Sequence, residues 1–127
     1  MEQFIKKTWG YELCFANVKD ENYCGKILFV EYGKWSSDFK YHYHKKKDET
    51  FCVIEGTLQL DYVINGEESR TIYIPTLKTF RISPLTKHRF TSFTLCGCKF
   101  IEASTFDSDE DSYRCYYDDE LGIWKEN

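Results

Sequence analysis

Short runs rich in Tyr, Phe, Val, Ile and Thr recur along the chain, broken by polar or glycine-bearing stretches. Such residues fit a pleated, half-buried strand surface. The pattern predicts strands over residues 11–16, 24–32, 39–44, 50–55, 57–64, 69–74, 80–82, 87–95 and 98–104. Residues 1–10 read as a lead-in ending at Trp9-Gly10, 17–22 as a turn and 34–38 as a loop or irregular edge. Asn65-Gly66 stands between the fifth and sixth runs. That pair suits a type I′ reversal, in which both central residues take positive φ. Pro75 ends the hairpin, and Gly97 marks another reversal. Residues 113–117 read as an added edge strand, and 118–125 as a single helical turn or irregular chain. Helical periodicity is nearly absent, so the elements predict an all-β sandwich or barrel.

In a small barrel alternate residues face inward. If His42 and His44 face inward, Lys40 does too. Inward His88 brings Phe90 and Ser92 with it, and inward Glu49 brings Phe51 and Val53. The result is a set of polar groups on an apolar floor.

The 127 residues suit a single domain, 1–127, with a barrel core at about 24–104, a lead-in strand at 8–16 and an acidic, aromatic tail at 105–127. The chain is 42% hydrophobic and 18% aromatic, enough for a core and too apolar for disorder. Its net charge of −4 argues against a nucleic-acid partner. The one basic run, Lys45-Lys46-Lys47, reads as a solvated turn, and the acidic stretches 107–111 and 118–120 read as surface. The first residues lack the charged-then-apolar pattern of a signal peptide, and no apolar run reaches membrane-spanning length. The expectation is a cytoplasmic protein with no membrane partner and with Cys14, Cys24, Cys52, Cys96, Cys98 and Cys115 as free thiols.

Candidate chemistry is concentrated at residues 42–56. His42 and His44 are two apart, so an extended strand puts both imidazoles on one face. A short charged run can turn the chain, and Glu49 opens the next strand. Two imidazoles and a carboxylate can thereby converge as a divalent metal requires, given a fourth ligand. The remaining histidine, His88, follows Pro84 in another strand-like segment.

Gly33, His42-Tyr43-His44, Glu49 and Gly56 resemble the first motif of the cupin superfamily, and Pro84, His88, Arg89 and Phe90 a variant of its second. This resemblance implies a double-stranded β-helix (jelly-roll) barrel, usually a homodimer, with His42, His44, Glu49 and His88 holding one divalent ion such as Mn, Fe, Zn or Ni. The chain departs from the pattern in a longer spacer between Gly33 and His42 and in Leu77 and Leu85 at positions where the motif has glycines. The motif's asparagine is also missing, with Thr91 and Ser92 in its region. Leucine at positive φ is strained, so the two leucines predict rebuilt turns.

A narrower resemblance is to small sugar-processing cupins and the C-terminal domain of type II mannose-6-phosphate isomerases. It is carried by Trp9-Gly10, residues 45–51, His88-Arg89-Phe90, residues 100–103 and Tyr113-Arg114. It implies a sugar or sugar-phosphate isomerase or epimerase in which the metal stabilises an enediolate. Glu102, if inward, and Lys40 are the candidate proton carriers. A metal-dependent dioxygenase and a non-catalytic sugar-binding module are the alternatives.

Overall fold

The computed structural model describes residues 3–66 and 68–126. Its strands are β1 (Gln3–Lys7), β2 (Gly10–Val18), β3 (Tyr23–Val30), β4 (Tyr41–Tyr43), β5 (Glu49–Glu55), β6 (Leu58–Val63), β7 (Arg70–Ile74), β8 (Thr79–Ile82), β9 (Lys87–Ser92), β10 (Cys98–Ser104), β11 (Tyr113–Asp118) and β12 (Ile123–Glu126). They form two six-stranded sheets, ordered β1-β2-β3-β10-β5-β8 and β12-β11-β4-β9-β6-β7. From β3 to β11 the chain passes back and forth between the sheets, and only the β6–β7 hairpin stays within one. This winding is the jelly roll expected from the sequence. No helix among the described residues is long and apolar enough to cross a membrane.

Period-2 alternation builds the interior. In β5, Glu49, Phe51 and Val53 are buried while Thr50, Cys52 and Ile54 are only partly so. Cys98, Phe100 and Glu102 alternate in the same way on β10. Phe51, Phe90 and Phe100 meet at the centre, 4.9–6.1 Å apart, and Trp9 sets its edge against Phe90. Such aromatic contacts contribute about 0.5–1.5 kcal/mol each beyond burial.

Three segments differ from the sequence expectation. The lead-in contains β1, which pairs along its whole length with β2. Residues 118–125 are neither helical nor irregular. They close a hairpin whose second strand, β12, extends the sheet by pairing Trp124 with Tyr117. Leu77 and Leu85 occupy turns that are not rebuilt, with φ of 67° and 71°. In one turn Lys78 N donates to Pro75 O, and in the other Thr86 N donates to Ser83 O. Pro84 and Leu85 take the two central places of the second, where the latter position favours positive φ. The left-handed conformation is held by Leu77 N donating to Val53 O and Leu85 N donating to His44 O, both at 2.7 Å. Asn65 and Gly66, as expected, both take positive φ.

Both leucines are largely exposed, so little packing opposes their replacement. Left-handed backbone costs a non-glycine residue roughly 1–2 kcal/mol, part of which glycine forfeits in unfolded-state entropy. Leu85→Gly is therefore expected to stabilise the protein by about 0.5–1 kcal/mol in urea denaturation. Gly56→Ala is expected to destabilise it by about 2 kcal/mol or more, because its Cβ would stand 2.7 Å from Gly97 O at a φ of +84°.

Candidate metal centre

β4 and β9 are neighbours, and their register sets His42 opposite His88. The two ring centroids are 4.1 Å apart. His44, just past the end of β4, returns to the same face, 5.4 Å from the His42 ring and 5.9 Å from the His88 ring. One ligand atom from each of the three lies within 4.8 Å of the others. Across the barrel β5 opens with Glu49, whose Oε2 is 3.3 Å from His44 Nε2 and 3.4 Å from His88 Nε2. One sheet thus contributes three imidazoles and the other a carboxylate. All four residues implied as ligands converge.

The hydrogen bonds behind the rings define what they present. His44 Nδ1 is 2.9 Å from Asp111 O, and His88 Nδ1 is 2.9 Å from Thr86 O. A carbonyl oxygen only accepts, so each Nδ1 carries the proton and each Nε2 keeps its lone pair. An ionised carboxylate also only accepts. Glu49 Oε2 and His88 Nε2 are accordingly buried without a hydrogen-bond partner. Each such atom costs about 1–3 kcal/mol, and a cation among these electron pairs would satisfy them. Nitrogen donors with one carboxylate suit Mn, Fe, Ni or Zn.

Ionisation follows from the same packing. Burial, reinforced by His88 and His44, holds the His42 imidazole well below its ordinary value and keeps it neutral. Burial would also lower His44, but Glu49 more than offsets it and the imidazole is raised. Burial alone would raise Glu49. The Lys47 ammonium, joined by His44 and His88 whenever their Nε2 atoms carry a proton, outweighs it, and the carboxyl lies well below the usual range.

Lys47 overturns the reading of residues 45–47 as a solvated turn. Lys45 and Lys46 are exposed, whereas Lys47 is buried. Its Nζ lies 2.7 Å from Glu102 Oε2, 3.0 Å from Asp107 Oδ1 and 3.8 Å from Glu49 Oε1. Lys26 Nζ extends the network to Asp107 Oδ2 at 2.8 Å and Glu12 Oε2 at 3.3 Å. With every group ionised, Glu12, Glu49, Glu102 and Asp107 outnumber the two ammonium groups by two charges, which a divalent cation would balance. Burial, aided by the charge of Glu49, pushes the Glu102 carboxyl up to about 7. Asp107 falls to about 2 because Lys47 and Lys26 outweigh its burial.

The acidic stretch 107–111 is likewise not simply surface. Asp107 closes the lysine network. The Asp111 carboxylate accepts the backbone N–H groups of Lys45, Lys46 and Lys47 at 2.9–3.2 Å, fixing the turn between His44 and Glu49. None of Lys26, Lys47, Asp107 or Asp111 stood out in the sequence. Lys26 carried a usable signal, since it shares its face of β3 with buried Cys24, Leu28 and Val30.

The long spacer after Gly33 is a wall strapped to β9. Ser37, Asp38 and Phe39 run consecutively at φ of 53°, 51° and 70°. Thr91 Oγ1 donates to Lys34 O, Phe90 N donates to Ser36 Oγ at 2.9 Å, and Arg89 Nη1 donates to Phe39 O at 2.8 Å. The Arg89 guanidinium packs on the rings of Phe39, Tyr41 and Trp35, which makes Trp35 a packing residue. Ser37 Oγ thereby reaches to 3.4 Å from His42 Nδ1. This turn also corrects the placement of Lys40. The residue precedes β4, so strand alternation does not reach it, and it lines a separate cavity with Tyr41, Arg89 and Trp124.

His42, His44 and Glu49, with His88 buried behind them, line a cavity of about 420 Å³, within the usual range for small-molecule sites. Buried Trp9, Phe51 and Phe90 form its floor, with Glu102 in the wall. Ser37, Ser108 and Ser112 add hydroxyls, and exposed Lys6, Thr8, Asp38, Asp109 and Arg114 mark the mouth.

Removing one partner of a buried ion pair typically costs about 3–5 kcal/mol, whereas surface changes stay within roughly 0.5 kcal/mol. Lys47→Met is expected to destabilise the protein by that larger amount, and Lys46→Met by little, in urea denaturation. The pH profile of the metal-free protein should have two limbs. Asp107, depressed from 3.8 to about 2, contributes stability above pH 3.8 that is lost as pH falls toward 2. Glu102, raised from 4.5 to about 7, contributes stability that is complete below 4.5 and lost as pH rises through 7. Glu102→Gln should abolish the second limb and leave the first.

No family model matches the sequence, and no curated protein matches it. Solved structures match the fold. The capsular polysaccharide assembling protein CapF from Staphylococcus aureus superposes with a TM-score of 0.76 at 18% identity, over 89% of this chain and 31% of that one. A CapF structure with the inhibitor 3-isopropenyl-tropolone gives 0.74 at 17% identity, over 89% and 34%. Oxalate decarboxylase from Bacillus subtilis gives 0.75 at 14% identity, over 89% and 30%. The chain spans about a third of the length of each. At such identities the likeness is one of fold, and by that fold the chain is a cupin-type β-barrel with a potential three-histidine metal site facing its cavity.

Proposed function

We propose that the chain binds one divalent metal through His42, His44, His88 and Glu49 and acts as a sugar or sugar-phosphate isomerase or epimerase. The observation that carries the metal reading is the pair of orphaned acceptors, Glu49 Oε2 and His88 Nε2, facing each other in the interior. A bound divalent ion supplies a Lewis acid that polarises a carbonyl oxygen and acidifies the neighbouring carbon.

The chain's own residues supply the rest. Glu102, with its carboxyl pushed up to about 7, can take a proton from carbon and return it to the adjacent position. Lys47 holds that carboxylate from 2.7 Å, and Ser104 Oγ donates to the same oxygen at 3.1 Å. The hydroxyls of Ser37, Ser108 and Ser112 suit a polyhydroxy ligand. Trp9, Phe51 and Phe90 give the inner end an apolar face. The sugar class also draws support from CapF, which is described as assembling a capsular polysaccharide. Lys40, on a different cavity, is given no role.

Reconstituted protein is expected to hold about one divalent ion per chain by elemental analysis, and His88→Ala to hold little. Ligand at a hundred times its Kd adds about 2.7 kcal/mol of stability, so metal should raise the melting temperature of the wild type but not of the variant. Equal metal content in both would overturn the metal reading. The metal-loaded enzyme should exchange the proton beside the carbonyl of an aldose, ketose or their phosphates with D2O, and Glu102→Gln should not. Oxygen consumption would instead indicate a dioxygenase. Metal binding with neither activity would indicate a binding module.

A further inference from the structure

Arg114 differs from the other arginines. Among the four arginines, Arg81 pairs with Asp48 and Arg89 with Asp61, and Arg70 is also engaged. Arg114 forms no hydrogen bond or ion pair among the described residues. Its place is nevertheless well defined. It lies on β11 directly opposite His42 of β4. Its neighbour Cys115 is buried with Tyr41 and Val63 on the outer side of the sheet, so alternation turns Arg114 to the other side, into the cavity that His42 lines.

The charges around Arg114 favour an anion. Lys6 and Lys7 line the same cavity and also lack ion-pair partners among the described residues. Two carboxylates share the mouth. Asp38 accepts from Thr8 Oγ1 at 3.3 Å, and Asp109 lies farther than ion-pair distance from Arg114. The mouth thus carries three cations and two anions, with a guanidinium fork and hydroxyls from Thr8 and Ser112 exposed to a ligand. Deeper in, Lys26 and Lys47 are already committed to carboxylates. The cations free to meet a substrate are therefore at the mouth and not on the floor, and of these Arg114 is the one set opposite His42.

We infer that Arg114 is a specificity residue for an anionic substrate, whose phosphate or carboxylate it holds at the mouth while the ligand's other end reaches the histidines. This inference rests on the metal reading for the inner end only. Planar guanidinium groups bind both oxyanions through paired N–H donors. Hydrogen bonds to charged groups contribute about 1.5–3 kcal/mol, which corresponds to roughly 10- to 100-fold in affinity.

Isothermal titration with glucose 6-phosphate, glucuronate and glucose tests the inference. One or both anionic probes are expected to bind the metal-loaded wild type at least tenfold more tightly than glucose. A gain confined to the first identifies a phosphate site, and a gain confined to the second a carboxylate site. Arg114→Ala should erase the preference, Arg114→Lys should restore part of it, and metal content should be unchanged in both variants. Repeating the titrations on EDTA-treated protein separates the two readings, since an Arg114-dependent preference that survives metal removal supports the anion site even if the metal reading fails. Binding of glucose as tight as that of both anions, no binding of either anion, a preference that persists in Arg114→Ala, or metal loss in that variant would each overturn the inference.

Discussion

Two imidazoles whose Nδ1 protons are already committed to carbonyl oxygens face a buried carboxylate that can only accept. Lone pairs set against a negative charge repel, and burial of Glu49 and His88 leaves that repulsion poorly screened. The arrangement is favourable only with a cation or a proton among these atoms. In the metal-free chain a proton can serve, which is why Glu49 raises His44. With all four carboxylates of the surrounding network ionised, their excess of two charges over the two lysines makes a divalent ion the better match. Lys26 and Lys47 keep that excess from growing to four.

Much of the remaining architecture holds this confrontation in place. Asp111 binds the turn that carries the chain from His44 to Glu49 through three backbone N–H groups, and its own carbonyl orients His44. The left-handed turn at Ser37, Asp38 and Phe39 is costly at about 1–2 kcal/mol per residue. It persists because Arg89 grips it by one hydrogen bond and two aromatic faces while Ser36 and Thr91 anchor it to β9. Leu85 is strained for a related reason, since its N–H donates to His44 O and ties the turn before His88 to the segment carrying the other two histidines. Strain collects where the chain must bring ligands together.

The sequence was most legible where a short repeat carried the information. His42-Tyr43-His44 and residues 49–53 placed ligands and floor on one face because strand alternation is strict. The jelly roll followed from the absence of helical periodicity, and Asn65-Gly66 marked its turn. Charge was much less legible. Lys47 looked like its exposed neighbours Lys45 and Lys46, and only the distant Glu102 and Asp107 make its burial tolerable. Asp111 resembled any acidic surface residue until the backbone of residues 45–47 folded onto it. Lys40 shows the opposite error. Alternation was extrapolated past the start of β4 to Lys40, which follows directly on the left-handed turn at residues 37–39 and lines a different cavity. β12 was missed because its four residues show no alternation apart from their partner β11.

The central claim is that His42, His44, His88 and Glu49 form a single coordination shell. A crystal structure of the metal-loaded protein, with anomalous scattering collected at the metal edge, tests it most directly. The account predicts one strong anomalous peak roughly 2.0–2.2 Å from a nitrogen of each histidine and from Glu49 Oε2, with the His44 and His88 Nδ1 bonds to Asp111 O and Thr86 O unchanged. A peak elsewhere, or a loaded protein in which Glu49 remains outside the shell, would contradict it.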